Sequence, residues 1–196
     1  MACAPKASTN GFEGLESDLP SDPLNVLADS RVKLAEFVSS LRDADYNRKS
    51  EYAGGGTIGG HIRHCLDHVS LLLDGIGEGL VDYDRRQRGT DVERSPSQAL
   101  QAIHRLEGLI GELSGDVIDR EIRVRGQIQA GSPAMEVHST TGRGLVFVIS
   151  HTIHHQAVIA AAAREIGVSL LADFGFAPAT IAYRKRTECV PSPLSR

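Results

Sequence analysis

Apolar residues recur at helical spacing in four separate stretches of this chain. Within each stretch they fall at steps of three and four, which places them on one face of an α-helix. The stretches run from Pro23 to Ala44, from Thr57 to about Gly79, from Ser95 through Leu113, and from Thr140 or Thr141 to about Ile166. Four amphipathic helices joined by short connections predict an all-α fold, an antiparallel four-helix bundle.

Residues typical of helix ends bracket these stretches. Thr57 follows a run of three glycines and is suited to cap the second helix. Pro96, directly after Ser95, is suited to the first turn of the third helix, and Gly167 is suited to end the fourth. The helix boundaries are therefore marked by capping chemistry as well as by periodicity.

The apolar period changes to two between Arg120 and Ser139. Isoleucine and valine alternate with polar residues from Ile122 to Ile128, and Gly131-Ser132-Pro133 is typical of a turn. This pattern predicts a small β-hairpin between the third and fourth helices. Two further segments are predicted, a polar loop at residues 81–94 and a short basic helix at residues 179–186.

Length and composition fit one domain flanked by tails. The chain has 196 residues, 41% hydrophobic content and a formal net charge of −4, which gives no reason to expect a nucleic-acid partner. No apolar run approaches the length needed to span a bilayer, so no membrane partner is expected either. Residues 1–20 lack the pattern of a secretory signal and are predicted to be a disordered tail. Residues 21–187 are predicted to form the helical domain, and 188–196 a flexible tail.

The three cysteines are scattered and form no CxxC pair. They favour reduced thiols in a cytoplasmic protein over a disulfide framework or a zinc ribbon. Cys65 lies next to His64, but it falls on the apolar stripe of its helix. We therefore interpret it as a small buried hydrophobic residue rather than a catalytic thiol.

Six of the eight histidines fall in two clusters, one in the second helix and one in the fourth. In the first cluster His61, His64 and His68 share one helical face. His61 and His68 are roughly 10 Å apart along the helix axis, too far to bind one ion comfortably at bonds of about 2.1 Å. His64 belongs to either workable pair and is the best single ligand from this helix.

The second cluster contains His151, His154 and His155. His151 can pair with a histidine three or four residues later, so it belongs to both possible pairs. The stripe through Val148 and Val158 points His155 inward, although periodicity alone leaves His154 open. His154 and His155 are about 100° apart on the helix, which disfavours their sharing one ion.

Imidazole is the commonest protein ligand for zinc, nickel, copper and iron. Two histidine clusters on two helices of one bundle therefore indicate a metal site. The sequence contains no HExxH and no Glu-x-x-His pair, which argues against a zincin-type protease and a ferritin-like di-iron centre. Three histidines with open coordination positions suit one divalent ion per chain that also binds water or substrate.

These motifs resemble those of the DinB/YfiT-like superfamily, over about residues 23–186. Thr57-Ile58-Gly59-Gly60-His61-Ile62-Arg63-His64 is similar to the family's second-helix motif, and Ser150-His151-Thr152-Ile153-His154-His155 to its fourth-helix motif. Residues 81–88 and 172–175 resemble segments of one branch of that superfamily. The resemblance implies a metal-binding four-helix bundle whose three ligands match, by position, His64, His151 and His155.

The resemblance also implies a choice of activities. Relatives include S-transferases that use a low-molecular-weight thiol, bacillithiol or mycothiol, and a maleylpyruvate isomerase. A divalent ion (Zn, Ni or Fe) with three neutral imidazoles can activate water for hydrolysis or bind a thiol as thiolate. The sequence therefore predicts a small-molecule substrate, with a low-molecular-weight thiol as a candidate co-substrate and a homodimer as a candidate assembly.

Further residues near the clusters are candidates for supporting roles. His68 is a candidate general base, and for His61 we favour packing beside the ligands. Asp67 is a candidate hydrogen-bond partner of a ligand imidazole. Arg85, Arg86 and Arg88 lie in the polar loop and are candidates to bind an anionic group of the substrate, although a solvated turn explains them equally well.

Three classes of function remain open at this stage. The first is a metal-dependent thiol S-transferase or hydrolase. The second is a non-catalytic stress-related or binding protein with a structural metal. The third is a metal-free helical interaction module. Metal analysis separates the third from the others, and an exchangeable ligand on the metal separates the first from the second.

Overall fold

The computed structural model describes residues 22–188. The predicted tail at 1–20 lies outside the described residues, as does the predicted tail at 188–196 apart from Glu188, the last residue of a helix. Six helices and three strands follow one another in this part of the chain. They are α1 (Pro23–Ser39), α2 (Asp43–Tyr46), α3 (Ile58–Glu78), β1 (Leu80–Asp82), α4 (Pro96–Gly111), β2 (Glu121–Gly126), β3 (Met135–Thr140), α5 (Thr141–Glu165) and α6 (Pro178–Glu188). The predicted four-helix bundle is confirmed and consists of α1, α3, α4 and α5.

Side-chain caps fix the start of the long helices where the sequence predicted them. The hydroxyl of Thr57 accepts a hydrogen bond from the Gly60 amide at the start of α3, and that of Thr140 accepts one from the Arg143 amide at the start of α5. α3 ends at Gly79, which takes a left-handed conformation with φ of 70°. These caps set the register of the two helices that carry the histidine clusters.

The first helix is shorter than the sequence predicted. α1 ends at Ser39 rather than near Ala44, and the four-residue helix α2 follows. The hydroxyls of Ser39 and Ser40 donate hydrogen bonds to the carbonyls of Ala35 and Phe37. Serine side chains that bond to nearby carbonyls compete with the helical hydrogen-bond ladder, which favours an end at this point.

The long helices pack in an order that differs from their order in the chain. α3 contacts α5 and α4, and α1 contacts α4 and α5, so α1 and α3 lie diagonally across the bundle. α3 and α5 run antiparallel, because His61 lies against His155 and Gly144 lies against Leu72. α3 and α4 both begin beside Tyr46, so these two neighbours run in the same direction. The segment between Gly79 and Ser95 makes the return along the bundle.

A three-stranded sheet in the order β1-β2-β3 covers one end of the bundle core. The predicted hairpin is confirmed as the antiparallel pair β2 and β3, with Ile122 buried. β1 pairs parallel with β2 and was not predicted, because three residues are too few to show an alternating pattern. Val81, at the centre of β1, is fully buried and attaches the sheet to α3.

The core also contains a charged residue, Arg31 of α1, with an exposed fraction of 0%. Its Nη2 donates to the Thr152 hydroxyl at 3.4 Å, while Nε and Nη1 have no partner among the described residues. Burial lowers the pKa of this guanidinium. Thr152 is therefore drawn into the core, next to His151 in sequence.

One described helix, α5, is long and apolar enough to cross a membrane by length and composition alone. The sequence-based statement that no apolar run approaches this length was therefore too strict. The buried Leu145, Val148 and Ile159 belong to α5 and pack in the bundle core. A core helix of a bundle passes the same length and composition test.

Candidate metal centre

Five histidine side chains from α3 and α5 meet at one place in the bundle. His64 and His151 bring their Nε2 atoms to 2.8 Å, and His61 and His155 bring their Nδ1 atoms to 3.0 Å. The ring of His68 lies 4.1 Å from that of His151, centroid to centroid. The structure thus brings together the predicted ligands and both of the neighbouring histidines that the sequence left in secondary roles.

The hydrogen bond of His68 fixes its tautomer. Its Nδ1 lies 3.0 Å from the carbonyl oxygen of His64, one turn earlier on α3. A carbonyl only accepts hydrogen bonds, so the proton of neutral His68 is on Nδ1 and the Nε2 lone pair is free. This buried ring can therefore accept a proton or bind a metal ion through Nε2.

One of the three candidate arginines reaches the histidines. Nη1 of Arg86 lies 2.7 Å from Nδ1 of His64. Arg85 and Arg88 are exposed, and Arg85 lines a cleft of about 770 Å³ next to Arg86. Because a guanidinium only donates, Nδ1 of His64 accepts this bond, and the proton of the neutral ring is then on Nε2.

Burial keeps the imidazoles neutral. It lowers the pKa of His64 to about 3 and that of His151 and His155 to about 4, and the neighbouring rings and Arg86 lower these values further by repulsion. Burial also lowers the pKa of His61 and His68. At neutral pH each ring is therefore uncharged, which is the form of imidazole that binds a metal ion.

Asp67 bonds to an arginine in the structure and not, as the sequence had predicted, to a ligand imidazole. Its carboxylate accepts a hydrogen bond from Nη1 of Arg63 at 2.6 Å, and Nε of Arg63 lies 2.7 Å from Glu93. The two residues are four apart on α3, so they share one face of the helix. Asp67 thus anchors Arg63, and the structure shows Arg86 as the partner of the His64 ring.

Two aromatic residues that the sequence analysis missed form a wall beside the cluster. Tyr83 stacks on His68 with ring centroids 5.3 Å apart, and Phe147 stacks on His151 at 5.5 Å. Phe147 precedes His151 by one helical turn, so the spacing of α5 could have indicated it. Tyr83 reaches the site only because β1 pairs with the hairpin.

His154, His104 and Cys65 lie outside the cluster of five imidazoles. His154 and His104 are exposed, although the ring of His154 contacts that of His155. Cys65 is fully buried, and burial raises the pKa of its thiol to about 12. This thiol is not ionised at neutral pH, which agrees with its interpretation as a small hydrophobic residue.

The cluster has the donor set of a metal site. One ligand atom each from His64, His68 and His151 lies within 4.8 Å of the other two. His155 lies outside that set, yet its ring is 4.4 Å from that of His64 and 4.5 Å from that of His151. Two overlapping triads of imidazoles are therefore close enough to be candidate ligand sets for one ion.

A family model matches residues 21–180 of the chain, and its description is the DinB family. The chain belongs to the DinB family. This match covers all four long helices and the sheet, so the resemblance that the histidine motifs indicated is confirmed.

Solved structures of other DinB-like proteins show the same fold. A DinB-like protein from Bacillus subtilis, YjoA, superposes with a TM-score of 0.56 at 20% identity, covering 77% of this chain and 95% of that one. One from Bacillus cereus gives 0.52 at 14% identity, covering 76% and 94%. YfiT from Bacillus subtilis, described as a probable metal-dependent hydrolase with an unusual four-helix bundle topology, gives 0.56 at 19%, covering 80% and 95%.

Among curated proteins, this DinB-family chain is 32% identical over 108 residues to FK506-binding protein 5 of Rhizopus delemar. The matched region is 55% of this chain and 28% of the fungal protein. The chain thus spans less than a third of that relative's length.

Proposed function

We propose that this protein is a metal-dependent enzyme that acts on a small molecule, either as a thiol S-transferase or as a hydrolase. One observation carries the proposal. The rings of His64, His151 and His155 form a triangle with centroid distances of 4.4 to 4.9 Å and planes tilted by 59° to 73°. An ion binds in the plane of an imidazole along its lone pair, so tilted rings can converge on one point.

Ring orientation favours His155 over His68 as the third ligand. The planes of His68 and His151 are only 25° apart, so these rings are stacked and their lone pairs lie in nearly parallel planes that do not meet near the rings. Nδ1 of His155 contacts His61, which leaves Nε2 of His155 for the ion. A ligating histidine commonly makes such an outer hydrogen bond through its other nitrogen. His61 is therefore proposed as the partner that orients His155.

A divalent ion at this centre (Zn, Ni or Fe) would supply Lewis acidity to a bound water or thiol. His68 is proposed as the general base, because its Nε2 carries a free lone pair beside the ligands. Arg86 is proposed to bind an anionic group of the substrate, with Arg85 and Arg88 contributing at the rim of the cleft. Asp67 holds Arg63 and is proposed to act only indirectly on the ligands.

The two candidate reactions have different grounds. YfiT is described as a probable metal-dependent hydrolase, and its likeness to this chain at 19% identity shows the fold alone. Thiol transfer is implied by the family resemblance. A structural metal in a stress-related or binding protein is the alternative that the free Nε2 of His68 disfavours, because a purely structural site does not need a base beside its ligands.

The test of this proposal is metal content followed by an activity screen. Purified protein should contain one divalent ion per chain by plasma mass spectrometry, and His64→Ala or His155→Ala should lose it, because two protein ligands are too few for a tight site. His104→Ala, an exposed histidine of α4, is the matched control and should retain the ion. Equal metal content in all variants would exclude this ligand set.

The loaded protein should then be assayed with several low-molecular-weight thiols and an electrophile, and in parallel for hydrolysis without thiol. His68→Gln should retain the metal and lose turnover. Loss of metal in His68→Gln with retention in His155→Ala would reverse the roles assigned to these two residues. Cytoplasmic location, a homodimeric assembly and the lack of nucleic-acid and membrane partners remain predictions.

A further inference from the structure

A second cleft, of about 320 Å³, opens between the first turns of α5 and the sheet. Its walls are two aromatic rings, Tyr83 and Phe147, and the valines Val124 and Val137, with Arg143 among its lining residues. Ligand pockets typically measure about 300–1,000 Å³ and combine apolar walls with a few polar groups. This cleft is at the small end of that range, so its ligand is small.

The aromatic wall connects this cleft to the histidines. Tyr83 and Phe147 contact each other with centroids 5.0 Å apart, and each stacks on a histidine ring. Arg143, Phe147 and His151 follow one another at intervals of four on α5, so they form one stripe along the helix. Eight residues of helix place Arg143 roughly 12 Å along the axis from His151. The cleft thus lies beside the candidate metal centre, with the rings of Tyr83 and Phe147 between them.

Two polar side chains of the cleft form no hydrogen bond in the part of the chain that the structure describes. Arg143 is exposed, and no hydrogen bond or ion pair is found for its side chain within residues 22–188. The hydroxyl of Tyr83 is buried and has no hydrogen-bond partner in the same part of the chain. Burial raises the pKa of Tyr83 to about 12, so the hydroxyl keeps its proton and acts as a donor. Beside the polar residues His138 and Ser139, the lining of the cleft thus offers a ligand two unpaired donors, one of them cationic.

We propose that this cleft binds the apolar or aromatic part of a small carboxylate, with Arg143 on the carboxylate and the opposite end of the molecule directed towards His151. Aromatic walls favour a flat or branched apolar group, and a guanidinium pairs with a carboxylate through two parallel hydrogen bonds. The orientation towards His151 rests on the proposed function, whereas binding in the cleft does not. The cleft would therefore select the substrate class of the metal centre.

Benzoate and its uncharged analogue benzamide are suitable probes, titrated into the full-length protein and followed by NMR or calorimetry. Benzoate should bind the unaltered protein, and Arg143→Met should weaken it at least tenfold while changing benzamide binding little. Arg123→Met is the matched control, since this exposed arginine of β2 lies outside the cleft and pairs with Glu136. It should leave benzoate affinity unchanged.

Zinc affinity, measured by chelator competition on the same proteins, separates this inference from the proposed function. Arg143→Met should bind zinc as the unaltered protein does. Arg143-dependent benzoate binding without zinc binding would support the cleft and refute the metal centre. Zinc binding with no benzoate binding, or with equal benzoate affinity in Arg143→Met, would refute the cleft and leave the metal centre standing.

Discussion

The hydrogen bond between Arg86 and His64 excludes a metal ion from His64 as long as it lasts. Its donor occupies the Nδ1 lone pair and leaves the proton of the neutral ring on Nε2, where it faces His151. Binding an ion through either nitrogen requires Arg86 to withdraw. A single arginine in the loop after β1 would thus compete with a metal ion for His64, and its withdrawal would leave a guanidinium free beside the site.

Replacing Arg86 should therefore tighten metal binding. Arg86→Met removes both the competing donor and a positive charge next to the cation. A hydrogen bond to a charged group contributes about 1.5–3 kcal/mol, so zinc affinity should rise roughly ten- to hundredfold in chelator competition. Arg85→Met, an exposed neighbour in the same loop, is the control and should leave the affinity unchanged. A weaker affinity in Arg86→Met would show that the arginine orients His64 for the metal instead.

At the scale of elements, the position of α3 depends on a close approach at its first turn. A Cβ at Gly59 would overlap the ring of Tyr46 and the carbonyl oxygen of Glu93. Tyr46 is fully buried and donates a hydrogen bond from its hydroxyl to the Val92 carbonyl at 2.7 Å. This packing holds α2, the start of α3 and the approach to α4 together, and it sets the depth at which His61 and His64 enter the bundle.

Gly59→Ala should consequently lower the free energy of unfolding by about 1–3 kcal/mol, the usual range for overpacking a core, measured by urea denaturation. Gly77→Ala tests the same substitution in the same helix at an exposed position with no atom within 4 Å of the added methyl group. It should raise the free energy by about 0.5–1 kcal/mol, because alanine favours helix over glycine. Similar effects of both substitutions would contradict the packing role of Gly59.

Elements that depend on local chemistry could be predicted from the sequence, and those that depend on distant partners could not. Thr57 and Thr140 cap their helices through neighbours three residues away, so their roles follow from spacing alone. β1 exists because β2 lies beside it, which periodicity cannot show. On α5, Thr152 takes a buried position because Arg31 from α1 needs a partner, and His151 and His155 lie half-buried beside it.

The residues of the candidate site also divide into those that the sequence could predict and those that depend on the fold. The sequence placed His64 and His151 on facing helices, and their nitrogens are within hydrogen-bonding distance. The sequence predicted only a packing role for His61, whereas the fold pairs His61 with His155. It also gave the same role to Arg85, Arg86 and Arg88, whereas of these three only Arg86 contacts a histidine ring. Loop conformation decides which arginine reaches inward, and no pattern in residues 81–94 encodes it.

For the molecule as a whole, the neutral histidines make stability depend on pH. Unfolded histidine has a pKa of about 6.5, and the folded values of His64, His151 and His155 are about 3 to 4. Between these limits the unfolded chain binds protons that the folded protein does not. The contribution of these three neutral histidines to the free energy of unfolding is therefore fully present above about pH 6.5, and it is lost as the pH falls towards 4.

The melting temperature of chelator-treated protein should accordingly fall between pH 7 and pH 4.5, followed by circular dichroism. The half-buried rings make the decrease smaller than fully buried ones would. A His64→Gln, His151→Gln double variant should show a flatter profile, because glutamine does not titrate. An equally steep profile in that variant would assign the acid sensitivity to other groups.

The candidate ligands lie on two helices that are far apart along the chain, and this separation limits when a metal ion could bind during synthesis. His64 and His151 are 87 residues apart, so a ribosome releases α3 long before α5 exists. An ion that meets the nascent chain finds only closely spaced histidines on one helix, which hold it weakly. Capture of the proposed ion would therefore follow the docking of the final long helix, so the ion would stabilise a completed fold and would not guide its formation.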